Sequence, residues 1–140
     1  MSNEEELNRY MALIEHYKEQ IKNLEMQYNY VQNAINDYNR AKLTLQNVNK
    51  VEKNSEILLP IGGSSFIYAE IKNPKKVLFD IGSGIATEKK TNDAIENIDK
   101  RLEDLQKTLE RISNMINQNQ QEAENISNKA QQMISEQQGF

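Results

Sequence analysis

Apolar residues at Leu7, Tyr10, Ile14, Tyr17, Ile21, Leu24, Tyr28, Val31, Ile35 and Tyr38 are spaced alternately by three and four, and nothing else in the chain constrains its fold as strongly. A stripe of this period, held over so many turns, is the seam of a coiled coil. Lys42 interrupts it and Leu45 resumes it. The pattern returns at Ile95, Ile98, Leu102, Leu105, Leu109, Ile112 and Ile116, then continues through Asn119, Ala123, Ile126, Ala130 and Met133 without a slip of phase. Neither stretch contains Gly or Pro. Ser2 with Glu5 fits a capping box for the first helix, and Thr91 or Asn92, followed by Asp93 and Glu96, marks the start of the second.

The two seams are equally long, so a chain folded back on itself pairs positions whose numbers sum to 140. That register sets Tyr10 against Ala130 and Tyr17 against Ala123, a large residue facing a small one. It also sets Leu24 against Ile116 and Val31 against Leu109, and it places Asn119 opposite Ile21, where a polar seam residue fixes register at some cost in stability. The paired arm would extend about 60 Å at ~1.5 Å per residue. Most seam positions read simply as helix interface.

Between the seams the period changes to two. Ile57 to Ile61 and Ser65 to Lys72 read as strands, with Phe66, Tyr68, Glu70 and Lys72 alternating against Ile67, Ala69 and Ile71, and Gly62-Gly63 as the turn. After Asn73-Pro74, Val77, Phe79 and Ile81 line one face of a third strand, and Gly82-Ser83-Gly84 turns into a fourth at Ile85 to Glu88. Pro60 lacks an amide donor, which an edge strand tolerates. The expected fold is mainly α with a small β part: a long antiparallel coiled-coil hairpin (helices in 1–52 and 91–140) with two central β-hairpins in 53–90. Four short strands cannot cover both faces of a sheet, and their free edges invite pairing with other chains. The expectation is that the hairpins assemble into an intersubunit β-barrel through Ile61, Phe66, Tyr68, Val77, Phe79 and Ile81. The competing arrangement folds a lone hairpin sheet against the base of its own arm.

Composition narrows the function classes. With no cysteine there is no disulfide, thiol nucleophile or Cys-based zinc site, and a reducing cytoplasm is the default compartment. No apolar run approaches a membrane span, and the acidic opening MSNEEELNRY is unlike a secretory signal. A net charge of -4 with both signs interspersed attracts no nucleic acid. Gly82-Ser83-Gly84 lacks a Walker lysine and reads as a hairpin turn. His16, the one histidine, has no second ligand, and the carboxylates are spread along helix faces. Tyr10, Tyr17, Tyr28 and Tyr38 sit on the seam with no basic groove beside them, which makes them core residues before a base-stacking platform. No enzymatic role and no cofactor or metal is expected.

At the terminal ends the stripe widens. Met11 and Leu13 flank the seam beside Tyr10 and Ile14, Ile134 flanks Met133, and the chain closes on Phe140 after a Gln- and Asn-rich stretch whose packing is expected to weaken. Two helices cannot cover all of these side chains. Exposed apolar groups that include flexible Met suit partners of variable shape, which makes Tyr10, Met11, Leu13, Ile14, Ile126, Met133, Ile134 and Phe140 the expected contacts with non-native proteins. Frayed helix ends with stray apolar residues are the plainer account.

The segment EILLPIGGSSFIYAEIKNPKKVLFDIGSGIATEKK, followed by TNDAIENIDKRLEDL, resembles the central signature of the alpha class of the prefoldin family. In that class a hydrophobic-Gly-Gly turn precedes a Phe-led strand, and a second hairpin carries an Ile-Gly-x-Gly type of turn. The helical flanks are similar over essentially the whole chain, and the signature is archaeal-like. The resemblance implies a heterohexamer of two alpha and four beta-class subunits, a double β-barrel with six coiled-coil tentacles, and an ATP-independent holdase passing unfolded proteins to a group II chaperonin. The alternative is a structural coiled-coil scaffold or filament subunit that binds no client.

Overall fold

A computed structural model describes residues 2–80 and 82–137. The element order is α1 (Asn3–Val48), β1 (Ser55–Gly62), β2 (Ser65–Ile71), β3 (Lys76–Asp80), β4 (Ala86–Lys90) and α2 (Thr91–Gln137). Residues cluster into two compact units: a helical unit formed by the first 34 residues and those from Leu105 onward, and a hairpin unit formed by residues 35–104.

In the helical unit the buried side chains are Leu24, Val31, Ile112 and Ala130, all seam positions. Half-buried Tyr10 shares a groove with Lys129 and Met133, and Tyr28 shares one with Ser113 and Ile116, as the antiparallel register requires. Burial of Ala130 means that the second helix keeps a covered seam position within its Gln- and Asn-rich stretch. Ser2 caps α1, its hydroxyl accepting from the Glu5 amide at 3.2 Å. Asn119 departs from its expected part: its Nδ2 donates to the Met115 carbonyl of its own helix at 2.8 Å, and a side chain bonded within one turn carries no interhelical register information.

The hairpin unit holds the better-covered core. Ala94 and Ile98 on the first turns of α2 are 0% and 2% exposed, and Ile35 of α1 is also buried. Two polar pairs cross between the helices here, Tyr38–Arg101 and Lys42–Asp99, and Asn49, just past the end of α1, bonds Asn92; each pair has numbers summing to within one of 140. The residue that interrupts the seam is thus one half of an ion pair, with Lys42 Nζ 2.6 Å from Asp99 Oδ1.

Each hairpin is a separate antiparallel two-stranded sheet, β1 with β2 and β3 with β4. The first turn falls one residue later than expected. Gly62 still pairs with Ser65, and Gly63 and Ser64, with φ of 56° and 59°, form the two-residue loop. Two successive left-handed residues match the twist of the flanking strands. The displaced residue goes into a bulge: Pro60 pairs with Phe66 and Gly62 with Ser65, leaving Ile61 extra. In the second hairpin Ile85 belongs to the turn, its amide donating to the Gly82 carbonyl at 3.1 Å, and β4 extends to Lys90. Thr91 follows at once as the first residue of α2.

The connection between hairpins is bonded on both sides. The Thr91 hydroxyl donates to the Pro74 carbonyl at 2.7 Å and the Thr91 amide to the Lys75 carbonyl at 2.9 Å. Lys75 Nζ donates to the Asn49 carbonyl and side-chain oxygen at 2.7 and 3.0 Å. The last turn of α1 has no basic residue of its own, so Lys75 supplies the cation that a helix C-terminus favours.

Candidate interaction surfaces

Strand alternation sorts the second hairpin cleanly. Val77, Phe79, Thr87 and Lys89 are half-buried, whereas Lys76, Leu78, Asp80, Ala86, Glu88 and Lys90 are exposed. The inner face is held by Arg101 of α2. Its Nη1 donates to the Tyr38 hydroxyl at 3.0 Å and its Nη2 to the Asp80 carbonyl at 3.1 Å. The same guanidinium lies 4.7 Å from the centroid of the Phe79 ring and 5.6 Å from that of Tyr38. Beside it Val77, Leu78 and Phe79 border a cleft of about 410 Å³ with Ala41, Leu45 and Ile98. Val77 and Phe79, expected among the assembly residues, are therefore partly covered by the chain's own helices, and the bare apolar residue of β3 is Leu78.

The first hairpin has no comparable cover at its turn end. Cross-strand pairing places Glu56, Leu58, Pro60, Phe66, Tyr68 and Glu70 on one face, and Ile57, Leu59, Ile67, Ala69 and Ile71 on the other. Phe66 is 59% and Tyr68 78% exposed, and Leu58, Leu59, Ile61 and Ile67 are exposed as well. Ile61, Phe66 and Tyr68 thus lie on an uncovered sheet. Ile81, named with them, lies outside the described residues.

The expected client contacts divide in two. Met11, Leu13 and Ile134 are exposed, while Tyr10, Ile14, Ile126 and Met133 are half-buried along the seam. Phe140 lies outside the described residues. Met11 and Leu13 are two residues apart, about 200° around a helix, so they occupy opposite flanks of the seam and form no single patch. Tyr10 is further restrained: its hydroxyl donates to Glu6 Oε1 at 3.1 Å, and this bond to a carboxylate holds the phenol above its ordinary pKa.

Exposed apolar residues expected at neither the client surface nor the assembly surface are Met26, Tyr30, Leu43, Leu58, Leu59, Ile67, Leu78, Ile85 and Met115. Met26 and Tyr30, one turn apart and both off the seam, could have been found by asking which apolar residues the heptad pattern leaves over. Among the described residues there is no cluster of His, Cys, Asp and Glu able to hold a metal ion, and no helix long and apolar enough to cross a membrane.

A family model of prefoldin subunits matches residues 17–136. Prefoldin subunit alpha of Methanosarcina barkeri is 35% identical over 113 residues, covering 79% of this chain and 78% of that protein. Prefoldin subunit alpha of Archaeoglobus fulgidus is 29% identical over 126 residues, covering 90% and 92%. Among solved structures, a chain of filamentous PFD from Methanocaldococcus jannaschii, determined by cryo-electron microscopy, superposes with a TM-score of 0.71 at 17% identity. The match covers 82% of this chain and 95% of that one, which establishes a shared fold.

Proposed function

The chain belongs to the prefoldin family of chaperones, and from that premise we propose that it is a cytoplasmic holdase subunit that binds unfolded proteins without ATP and passes them to a group II chaperonin. The observation that carries this reading is the pair of unlike apolar surfaces. The uncovered first hairpin suits permanent burial between subunits, and exposed Met11, Leu13 and Ile134 near the ends of the helices suit transient contact. The natural partners for the hairpin are beta-class subunits, in a heterohexamer of two alpha and four beta chains whose strands close into barrels and leave no free edge. Each client contact is weak on its own, and several arms tethered to one base supply the avidity.

The assembled protein should suppress aggregation of a chemically denatured test protein in proportion to its concentration and without nucleotide. Replacing Met11, Leu13 and Ile134 together by Ser should abolish that suppression while helicity and assembly are retained. Undiminished suppression by this variant would remove these residues from the binding surface. The structural alternative, a scaffold or filament subunit, draws on the filamentous neighbour. It predicts assembly with no suppression even by the unaltered protein.

A further inference from the structure

We propose that the groove on one flank of the helical unit, between Met26 and Tyr30 of α1 and Thr108 and Arg111 of α2, docks an extended polypeptide segment that presents aromatic or aliphatic side chains together with a carboxylate. The inference deepens the holdase reading and rests on it, but it concerns a surface remote in sequence from Met11, Leu13 and Ile134. The groove encloses about 380 Å³ and is lined by Met26, Gln27, Tyr30, Thr108 and Arg111, with seam residues Val31 and Ile112 also contributing. Its floor is apolar because Val31 and Ile112 are buried. Its α1 rim is apolar too, since Met26 is 63% and Tyr30 78% exposed.

Two observations say what would occupy it. The first is the stretch Met26 to Asn36, eleven residues of α1 without a charge in a chain that is 27% charged. Flank positions of a coiled coil ordinarily carry the charges that solvate it and choose its partners, and here that work is left undone on one helix. The second is Arg111, exposed across the groove from Tyr30 and without an ion-pair partner among the described residues. The groove therefore presents apolar surface with an unopposed positive rim. A guanidinium fork pairs best with a carboxylate. Met adapts its shape to varied side chains, and Tyr offers a large ring with few torsions to freeze. An acidic segment with Phe or Leu beside Asp or Glu meets all of these demands, and a basic segment meets only the apolar one.

The test uses the full chain and two short, unstructured, dye-labelled peptides of matched Phe and Leu content, one carrying Asp and the other Lys. Fluorescence anisotropy should show the acidic peptide binding about tenfold tighter, with the preference fading at high salt. Arg111→Glu should invert the preference, and Met26→Ser with Tyr30→Ser should weaken both peptides at least tenfold. Circular dichroism guards against unfolding of the double variant, and the single charge reversal stands without it. An acidic preference that survives in Arg111→Glu, at unchanged helicity, overturns the proposal. So does a fall in oligomer mass on Tyr30→Ser, which would give this face to a neighbouring subunit. If the groove variants bind as the parent does while the parent still suppresses aggregation, the groove fails and the holdase reading stands. A parent that neither binds the peptides nor suppresses aggregation loses both.

Discussion

The second hairpin alternates covered and exposed residues with the period of a strand, whereas the first leaves large apolar side chains exposed on both faces at its turn end. Both are antiparallel two-stranded sheets with glycine in the turn, but β1 and β2 each carry several large apolar side chains and β4 carries none. They differ also in what each meets within the chain. Arg101 bonds the turn end of β3 to α1 and α2 and lies against the Phe79 ring, and Thr91 fastens the connection that precedes β3. Charge follows the same division. Lys76 and Lys90 oppose each other across the second hairpin, but Glu88 bonds Lys76 at 3.2 Å. Glu56 and Glu70 oppose each other across the first, with no ion pair to either among the described residues. One hairpin is covered within the chain, and the other leaves its apolar side chains uncovered at the turn end.

That contrast can be broken in graded ways. Replacing Phe66 and Tyr68 by Ser should weaken subunit assembly by roughly 3–6 kcal/mol, at ~1.5–3 kcal/mol for each buried aromatic. Stability of the isolated chain should change by less than about 0.5 kcal/mol. Sedimentation with and without a beta-class partner, set beside denaturant melts, measures both quantities. Ile98→Ala removes a side chain 2% exposed beneath the second hairpin and should cost the isolated chain about 2–4 kcal/mol in urea unfolding. Arg101→Met should cost about 1–2 kcal/mol and raise amide exchange in β3 and β4 while sparing β1 and β2. Equal loss in all four strands would mean that the hairpins are not held separately. The smallest change is Glu70→Lys, which turns a like-charge cross-strand pair into an attractive one. It should slow exchange of the β1 and β2 amides by an amount equivalent to about 0.5 kcal/mol.

Elements that repeat were legible in the sequence, and contacts that depend on tertiary meeting were not. The seam could be read because dozens of residues vote for one period, and the 140-sum register followed from two seams of equal length. Lys42 was visible as an interruption, but its partner Asp99 lies off the seam and no periodicity points to it. The seam position of Asn119 suggests a role across the helices, yet a short amide reaches its own backbone more easily. Gly62-Gly63 marked the first turn, and the loop moved on by one because Ser64 also accepts a left-handed conformation and Ile61 bulges out. Arg101 could not have been singled out among the charged residues of α2, since its role depends on Phe79, Asp80 and Tyr38 converging on it. Of the surface side chains, Met11, Leu13 and Ile134 could be read from a stripe wider than two helices can cover. Met26 and Tyr30 lie mid-helix, away from the ends where the stripe widens.

The direct passage from Lys90 into Thr91 has a mechanical meaning. With no spare residues between strand and helix, the strand sets the rotational phase of α2, so that Ala94 and Ile98 point inward only because β4 ends where it does. One inserted residue would turn that stripe by about 100°. The opposite junction, from Val48 to Ser55, interposes residues 49–54, held by turn hydrogen bonds of their own, so the two ends of the strand region differ in how directly they transmit a twist.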